Sequence, residues 1–320
     1  MKSLILSITL FASFACYSQD EVTYPYPVNY FTLQVEGQEA KMAYMDVRPT
    51  KANGETVILF HGKNFNGFYW KDVIPFLTAA GYRVIVPDQI GWGKSSKPNL
   101  HYSFFMLANN NFQLLDSLGI DKVSVVAHSM GGMLATRFSL MYPQKVKKLV
   151  LENPIGLEDY GAFAPYTSLQ ELYTGELNQT YESIKQYQQS YYPVWKEEYE
   201  PYVKAQAAQL KDSNYAQIAM VNAVTYQMIY EQPVVYGFDS LKIPTLLIIG
   251  QADRTVVGKK SLTDAQKKVY GNYPELGKRT QQHIKNSKLV ELPGIGHIPH
   301  VQALNLYKQH LLTFLKNNQK

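Results

Sequence analysis

The sequence predicts an α/β fold: a mostly parallel eight-stranded sheet flanked by helices, with a helical cap inserted after the sixth strand. Three observations carry this expectation. Apolar runs of strand length alternate with helical stretches along much of the 320 residues, the rhythm of βα units that build a parallel sheet. One strand-to-helix junction holds a serine among small residues, Ala127-His128-Ser129-Met130-Gly131. The alternation stops between Asn153 and Ser240 and resumes after it.

The elements follow in order. Tyr30 to Val35 and Lys41 to Val47 alternate like strands around a turn at Gly37, an antiparallel start. Thr56 to Phe60 reads as the third strand, Phe68 to Ala80 as a returning helix, and Tyr82 to Pro87 as the fourth strand. Ser103 to Leu118 is the next helix, with Gly119 at its C-cap. The fifth strand, Lys122 to Val126, leads into the serine junction and a helix from Gly132 to Phe138; Lys147 to Leu151 forms the sixth strand. Within residues 154–240 the best helical pieces are Ser168 to Tyr173, Thr180 to Ser190, Glu197 to Leu210 and Tyr215 to Tyr230. Ile243 to Gly250 and Lys288 to Leu292 complete the sheet. The division that results is a core of residues 19–153 and 241–320 with a cap of residues 154–240.

The serine junction has the layout of a nucleophile elbow, a turn so sharp that bulk on either side of the serine collides with neighbouring backbone. Ala127 stands where glycine is usual. A serine so placed needs a base to take its proton and an acid to orient that base. Asp253 lies in the loop after the seventh strand, and His297 follows Pro293-Gly294-Ile295-Gly296 after the eighth. Loops at the carboxyl ends of parallel strands open at one edge of the sheet, where distant side chains converge.

On these residues the chain resembles the α/β-hydrolase family over nearly its whole length beyond the first eighteen residues. His61-Gly62-Lys63-Asn64 looks like that family's oxyanion-hole loop, and Asp88 to Ser95 like its loop after the fourth strand. The resemblance implies a serine hydrolase that cleaves a carboxylic ester, thioester or lactone through an acyl-enzyme. Ser129 would be the nucleophile, His297 the base and Asp253 the acid that orients it. The N–H groups of Met130 and Lys63 would form the oxyanion hole, with Asn64 beside the substrate and Trp92 on the pocket wall. Glu152, at the end of the sixth strand, is the alternative acid; its other reading is a hydrogen-bonding role in the loop. His61 and His128 are read as shaping loops, and His300 as a backup base or as a dock for the last helix. A carbon–carbon bond hydrolase of the same fold is the second enzymatic reading. A non-catalytic receptor that uses the covered pocket is the reading from another class.

The cap segment holds thirteen of the chain's 25 tyrosines. A tyrosine buries an apolar face while its hydroxyl seeks a partner, so these rings either line a pocket or pack the cap onto the sheet. A net charge of +5, with lysines scattered in pairs, fits a solvated surface and argues against a nucleic-acid partner. The spacings of metal and phosphate-binding motifs are lacking, so no metal and no cofactor are expected. The partner expected is a small ester-type substrate. Met1-Lys2, an apolar run from Leu4 to Ala15 and Cys16-Tyr17-Ser18 have the form of an export leader, cleaved after Ser18 to expose Gln19. The alternative is a lipoprotein anchored at Cys16, the only cysteine of the chain. Either way the protein is expected outside the cytoplasm, without stable membrane insertion.

Overall fold

A computed structural model describes residues 23–317. The expected leader, residues 1–18, and Cys16 lie outside the described residues. Eight strands form one sheet: β1 (Val28–Val35), β2 (Gln38–Val47), β3 (Thr56–Phe60), β4 (Arg83–Pro87), β5 (Val123–His128), β6 (Val146–Glu152), β7 (Thr245–Gly250) and β8 (Ser287–Leu292). Their spatial order is β1-β2-β4-β3-β5-β6-β7-β8. β2 runs antiparallel to both β1 and β4, and every other pairing is parallel.

Period-two alternation sorts the side chains of the central strands onto two covered faces. On β3, Ile58 and Phe60 enter one core and Val57 and Leu59 the other; on β7, Leu247 and Ile249 oppose Leu246 and Ile248. The helices α1 (Val73–Ala79), α2 (Phe104–Ser117) and α3 (Met130–Met141) follow β3, β4 and β5. Ser103 caps α2 through its side chain, accepting from the Met106 N–H, and Gly119 just past that helix has φ 66°.

The insertion between β6 and β7 is helical: α4 (Leu169–Leu177), α5 (Tyr181–Gln189), α6 (Glu200–Ala207) and α7 (Tyr215–Glu231). α4 packs on α7, and α5 on α6. Ser168 and Thr180 open α4 and α5 with reciprocal capping boxes. The last elements are α8 (Asp264–Val269), α9 (Tyr273–His283), α10 (Pro299–Gln302) and α11 (Leu304–Lys316). Among the described residues no helix is long and apolar enough to cross a membrane.

Two expected helices are broken, and proline explains both. The stretch Phe68 to Ala80 divides into a 3₁₀ turn at Gly67–Trp70 and α1, which places Pro75 in a first turn. Glu197 to Leu210 divides so that Pro201 opens α6, flanked by 3₁₀ turns. A proline has no N–H to donate, and only the first turn of a helix leaves that position unpaired anyway. The helices α8 and α9 were not expected from the pattern. α9 buries only Tyr273, Leu276, Gly277 and Thr280, a narrow stripe on an otherwise polar helix.

Candidate active site

Ser129 stands between the end of β5 and the start of α3 with φ 55° and ψ −122°, a backbone conformation that residues with a Cβ rarely adopt. Its surroundings leave no room to relax the turn. A Cβ on Gly131 would drive into the Phe60 carbonyl oxygen, and one on Gly132 into the Pro154 ring. The Ser129 carbonyl accepts from the N–H groups of Gly132 (2.8 Å) and Ile155 (3.2 Å). Ala127 is fully buried in the core beneath, so a methyl group is tolerated before the turn while hydrogen atoms are required after it.

Two loops bring partners to this serine. His297 lies 2.9 Å through Nε2 from Ser129 Oγ and 2.7 Å through Nδ1 from Asp253 Oδ2. A carboxylate only accepts, so Nδ1 carries the proton and Nε2 is the acceptor that faces the serine hydroxyl. Ser129, Asp253 and His297 are buried, with the serine 7% exposed and the histidine 0%.

Asp253 is held from both sides. Its Oδ2 also accepts from Asn153 Nδ2 (2.8 Å), and its Oδ1 accepts from the Thr255 N–H (2.8 Å). Burial by itself would push this carboxyl up. The neighbouring His297, with hydrogen bonds from His297, Asn153 and Thr255, outweighs it and brings the carboxyl below its ordinary value. Asn153 has φ 34° and its Oδ1 accepts from the Gly250 N–H at 2.8 Å, so one side chain joins the ends of β6 and β7. Sequence reasoning did not single it out. Its signal was an asparagine, tolerant of the left-handed region, at a strand end.

Glu152, the alternative acid, is engaged elsewhere. Its Oε1 accepts from the His300 N–H at 2.7 Å and lies 2.9 Å from His300 Nδ1. The His300 ring stacks on Trp70, with centroids 4.4 Å apart at 23°. The structure therefore pairs Asp253 with His297 and Glu152 with His300.

The loop after β3 lies against the serine: a Cβ on Gly62 would sit 3.0 Å from Ser129 Cβ. Trp92 is buried and donates from Nε1 to the Lys63 carbonyl at 2.6 Å, so this ring orients the Lys63 peptide. Asn64 Nδ2 donates to the Tyr191 hydroxyl at 2.8 Å. The Lys63 ammonium lies 3.7 Å from Glu176 on α4. Both side chains expected to contact substrate, Asn64 and Trp92, thus make hydrogen bonds that hold the loop itself. Met130, the residue after the serine, is the first of α3. The histidines flanking the serine and the Gly62 loop also brace backbone: His61 Nε2 accepts from the Gln89 N–H at 3.0 Å, and His128 Nε2 lies 2.8 Å from the His297 carbonyl.

The insertion reaches this centre through Tyr191. Its carbonyl accepts from the His297 N–H at 2.8 Å, and its ring stacks on the His297 imidazole at 4.8 Å and 27°. Tyr187 meets it edge-on at 5.4 Å. Other tyrosines of the insertion pack among themselves, as Tyr192 does on Tyr199 at 4.1 Å. These contacts pack the insertion's helices together and onto the core, the second of the two readings. Among the described residues no cluster of three or more His, Cys, Asp or Glu side chains is arranged to hold a metal ion.

This architecture is shared with known proteins. A 1.50 Å crystal structure of a probable hydrolytic enzyme from Pseudomonas aeruginosa is 46% identical, superposes with a TM-score of 0.90, and is matched over 92% of this chain and 96% of that one. An uncharacterised protein of Mycobacterium bovis is 38% identical over 105 residues, 33% of this chain and only 30% of that protein's length. A 2-hydroxy-6-oxo-6-phenylhexa-2,4-dienoate hydrolase from Burkholderia cepacia is 39% identical over 109 residues, 32% of this chain and 38% of that one. The family model for the α/β hydrolase fold matches residues 55–304, and the chain belongs to that family.

Proposed function

We propose that the protein is a serine hydrolase that cleaves a carboxylic ester through an acyl-enzyme. The observation that carries this reading is the unbroken chain Ser129–His297–Asp253, with contacts of 2.9 and 2.7 Å. A serine hydroxyl is a weak nucleophile without a base to take its proton. Ser129 Oγ attacks the substrate carbonyl carbon as its proton passes to His297 Nε2. Negative charge gathers on the carbonyl oxygen, where the N–H groups of Met130 and Lys63 receive it. The bond to the leaving alcohol breaks as His297 returns the proton to it. Water then attacks the acyl-enzyme with His297 again as base, releasing the acid and the free serine. Asp253, ionised because its carboxyl is brought below its ordinary value, holds the tautomer and stabilises the imidazolium.

The test is reaction with a fluorophosphonate, which should label the protein and fail on Ser129→Ala. A panel of p-nitrophenyl esters and lactones of graded size then reports acyl preference. Removal of such a serine lowers turnover about a millionfold, so undiminished esterase activity in Ser129→Ala would overturn the assignment. A protein that resists the reagent and turns over no ester supports the receptor reading instead. The second enzymatic reading, carbon–carbon bond hydrolysis of a diketone, draws support from the Burkholderia cepacia relative. Consumption of such ring-cleavage diketones without ester turnover would favour it. We place the enzyme outside the cytoplasm on the leader-like residues 1–18; N-terminal sequencing should find Gln19 first, and a lipid-modified Cys16 would replace that reading.

A further inference from the structure

Behind the nucleophile, four groups form a line of hydrogen bonds that runs in one direction. The Gly62 N–H donates to the Tyr69 hydroxyl at 3.1 Å. That oxygen lies 3.0 Å from His128 Nδ1, and His128 Nε2 lies 2.8 Å from the His297 carbonyl. A carbonyl can only accept, so Nε2 must carry the proton. Burial, then the neighbouring His297 and His300, drive the His128 imidazole well below its ordinary pKa, which keeps the ring neutral and Nδ1 bare. The phenol therefore donates to Nδ1 and accepts from Gly62, and every proton in the line has one place.

We infer that Tyr69 and His128 are positioning residues that tie the oxyanion loop to the loop of the proposed base, so that donors and base are held as one unit. This rests on the serine-hydrolase reading above. The line begins one residue before the proposed donor Lys63 and ends on His297 itself, and it passes through the residue next to Ser129. Its effect on the loop is specific. With the Gly62 N–H occupied by Tyr69, the next N–H, that of Lys63, remains as the loop's donor. The peptide that carries it is fixed at its other end, because the Gly62 carbonyl accepts from the Phe65 N–H at 3.2 Å and lies 2.9 Å from His61 Nδ1. Packing locks the phenol: Tyr69 stacks on Phe65 with centroids 4.6 Å apart at 9°, and Phe65 meets His128 at 5.8 Å. Glycine at 62 permits the approach, since a Cβ there would lie 3.2 Å from His128 Nδ1.

Tyr69→Phe keeps the ring and removes only the oxygen that joins the two loops. The expected result is a fall of about tenfold to a hundredfold in the limiting rate of Ser129 phosphonylation, with the half-saturating fluorophosphonate concentration unchanged. A role confined to folding would lower the melting temperature and leave that rate alone, and this outcome overturns the relay. Nitrogen-15 NMR of the wild-type protein gives a reading independent of activity: His128 should show a protonated Nε2 and a bare Nδ1. A proton on Nδ1 overturns the relay as well. Wild-type protein that does not react with the fluorophosphonate overturns the parent reading together with it. Brisk labelling of wild type with an unchanged rate in Tyr69→Phe overturns the relay alone.

Discussion

Two carboxylate–imidazole pairs have their histidines three residues apart, His297 in the loop after β8 and His300 in α10, and only one of them meets a serine hydroxyl. Asp253 with His297 and Glu152 with His300 are both buried, with Nδ1-to-oxygen distances of 2.7 and 2.9 Å. Glu152 ends β6, and Asp253 lies in the loop just after the neighbouring parallel strand, β7. What differs is the far side of each ring. His297 Nε2 faces Ser129 Oγ, whereas His300 Nε2 finds no hydrogen-bond partner among the described residues. The His300 ring is enclosed by Trp70, Tyr69 and Tyr307 at centroid distances of 4.4, 4.7 and 5.8 Å. A histidine beside a carboxylate can therefore act as a base on a hydroxyl only where its second nitrogen faces one. The Glu152 pair braces α10 against the sheet instead.

The sharpest way to break this comparison is to neutralise each acid in turn. Asp253→Asn removes the acceptor that sets the His297 tautomer and should lower kcat about ten-thousandfold while the fold persists. Glu152→Gln should leave kcat within about tenfold of wild type, since its side chain bonds to His300 and its backbone carbonyl, which accepts the Ser129 N–H at 3.2 Å, is untouched by the change. A reversal of that order in steady-state ester hydrolysis would hand the acid role to Glu152. On stability the ranking inverts. Glu152→Ala strands the His300 N–H and Nδ1 in the core, a loss of about 3 kcal/mol in denaturant unfolding. An unchanged midpoint would show that the pair contributes nothing.

A smaller effect belongs to Asn153. Asn153→Ala removes one bond to the Asp253 carboxylate and one to the Gly250 N–H, and should cost about 1–3 kcal/mol of stability. Smallest is the acid response of stability. The folded Asp253 carboxyl lies below the ordinary value of 3.8, so the unfolded chain binds that proton more readily. Its contribution is complete above that value and is lost as pH falls through the lower folded one. Asp253→Asn should lose less stability than wild type over that interval in urea titrations, and identical slopes would deny the carboxylate its advantage.

Much of this was readable beforehand because it is local. Small residues about Ser129, strand ends before Asp253 and His297, and the break in alternation after Asn153 each sit within a few residues of what they specify. The pairing of Glu152 with His300 spans 148 positions and depends on where α10 docks, which no local pattern states. The contact of Tyr191 with His297 joins the insertion to the last loop, again through packing alone. The breaks before Pro75 and Pro201 were legible in principle, and periodicity overrode them. The polar α9 was hidden because four buried positions make too narrow a stripe.

The elbow itself holds a last consequence. Ser129 keeps a positive φ that its Cβ opposes, at about 1–3 kcal/mol for such a residue. Glycine would occupy that backbone without strain and cannot perform the chemistry. A Ser129→Gly protein should therefore melt above its parent, and on the proposed function drift toward robustness at this position runs directly against turnover. On the proposed function, the acyl-enzyme chemistry alone gives a hydroxyl a reason to stay where the backbone would rather have none.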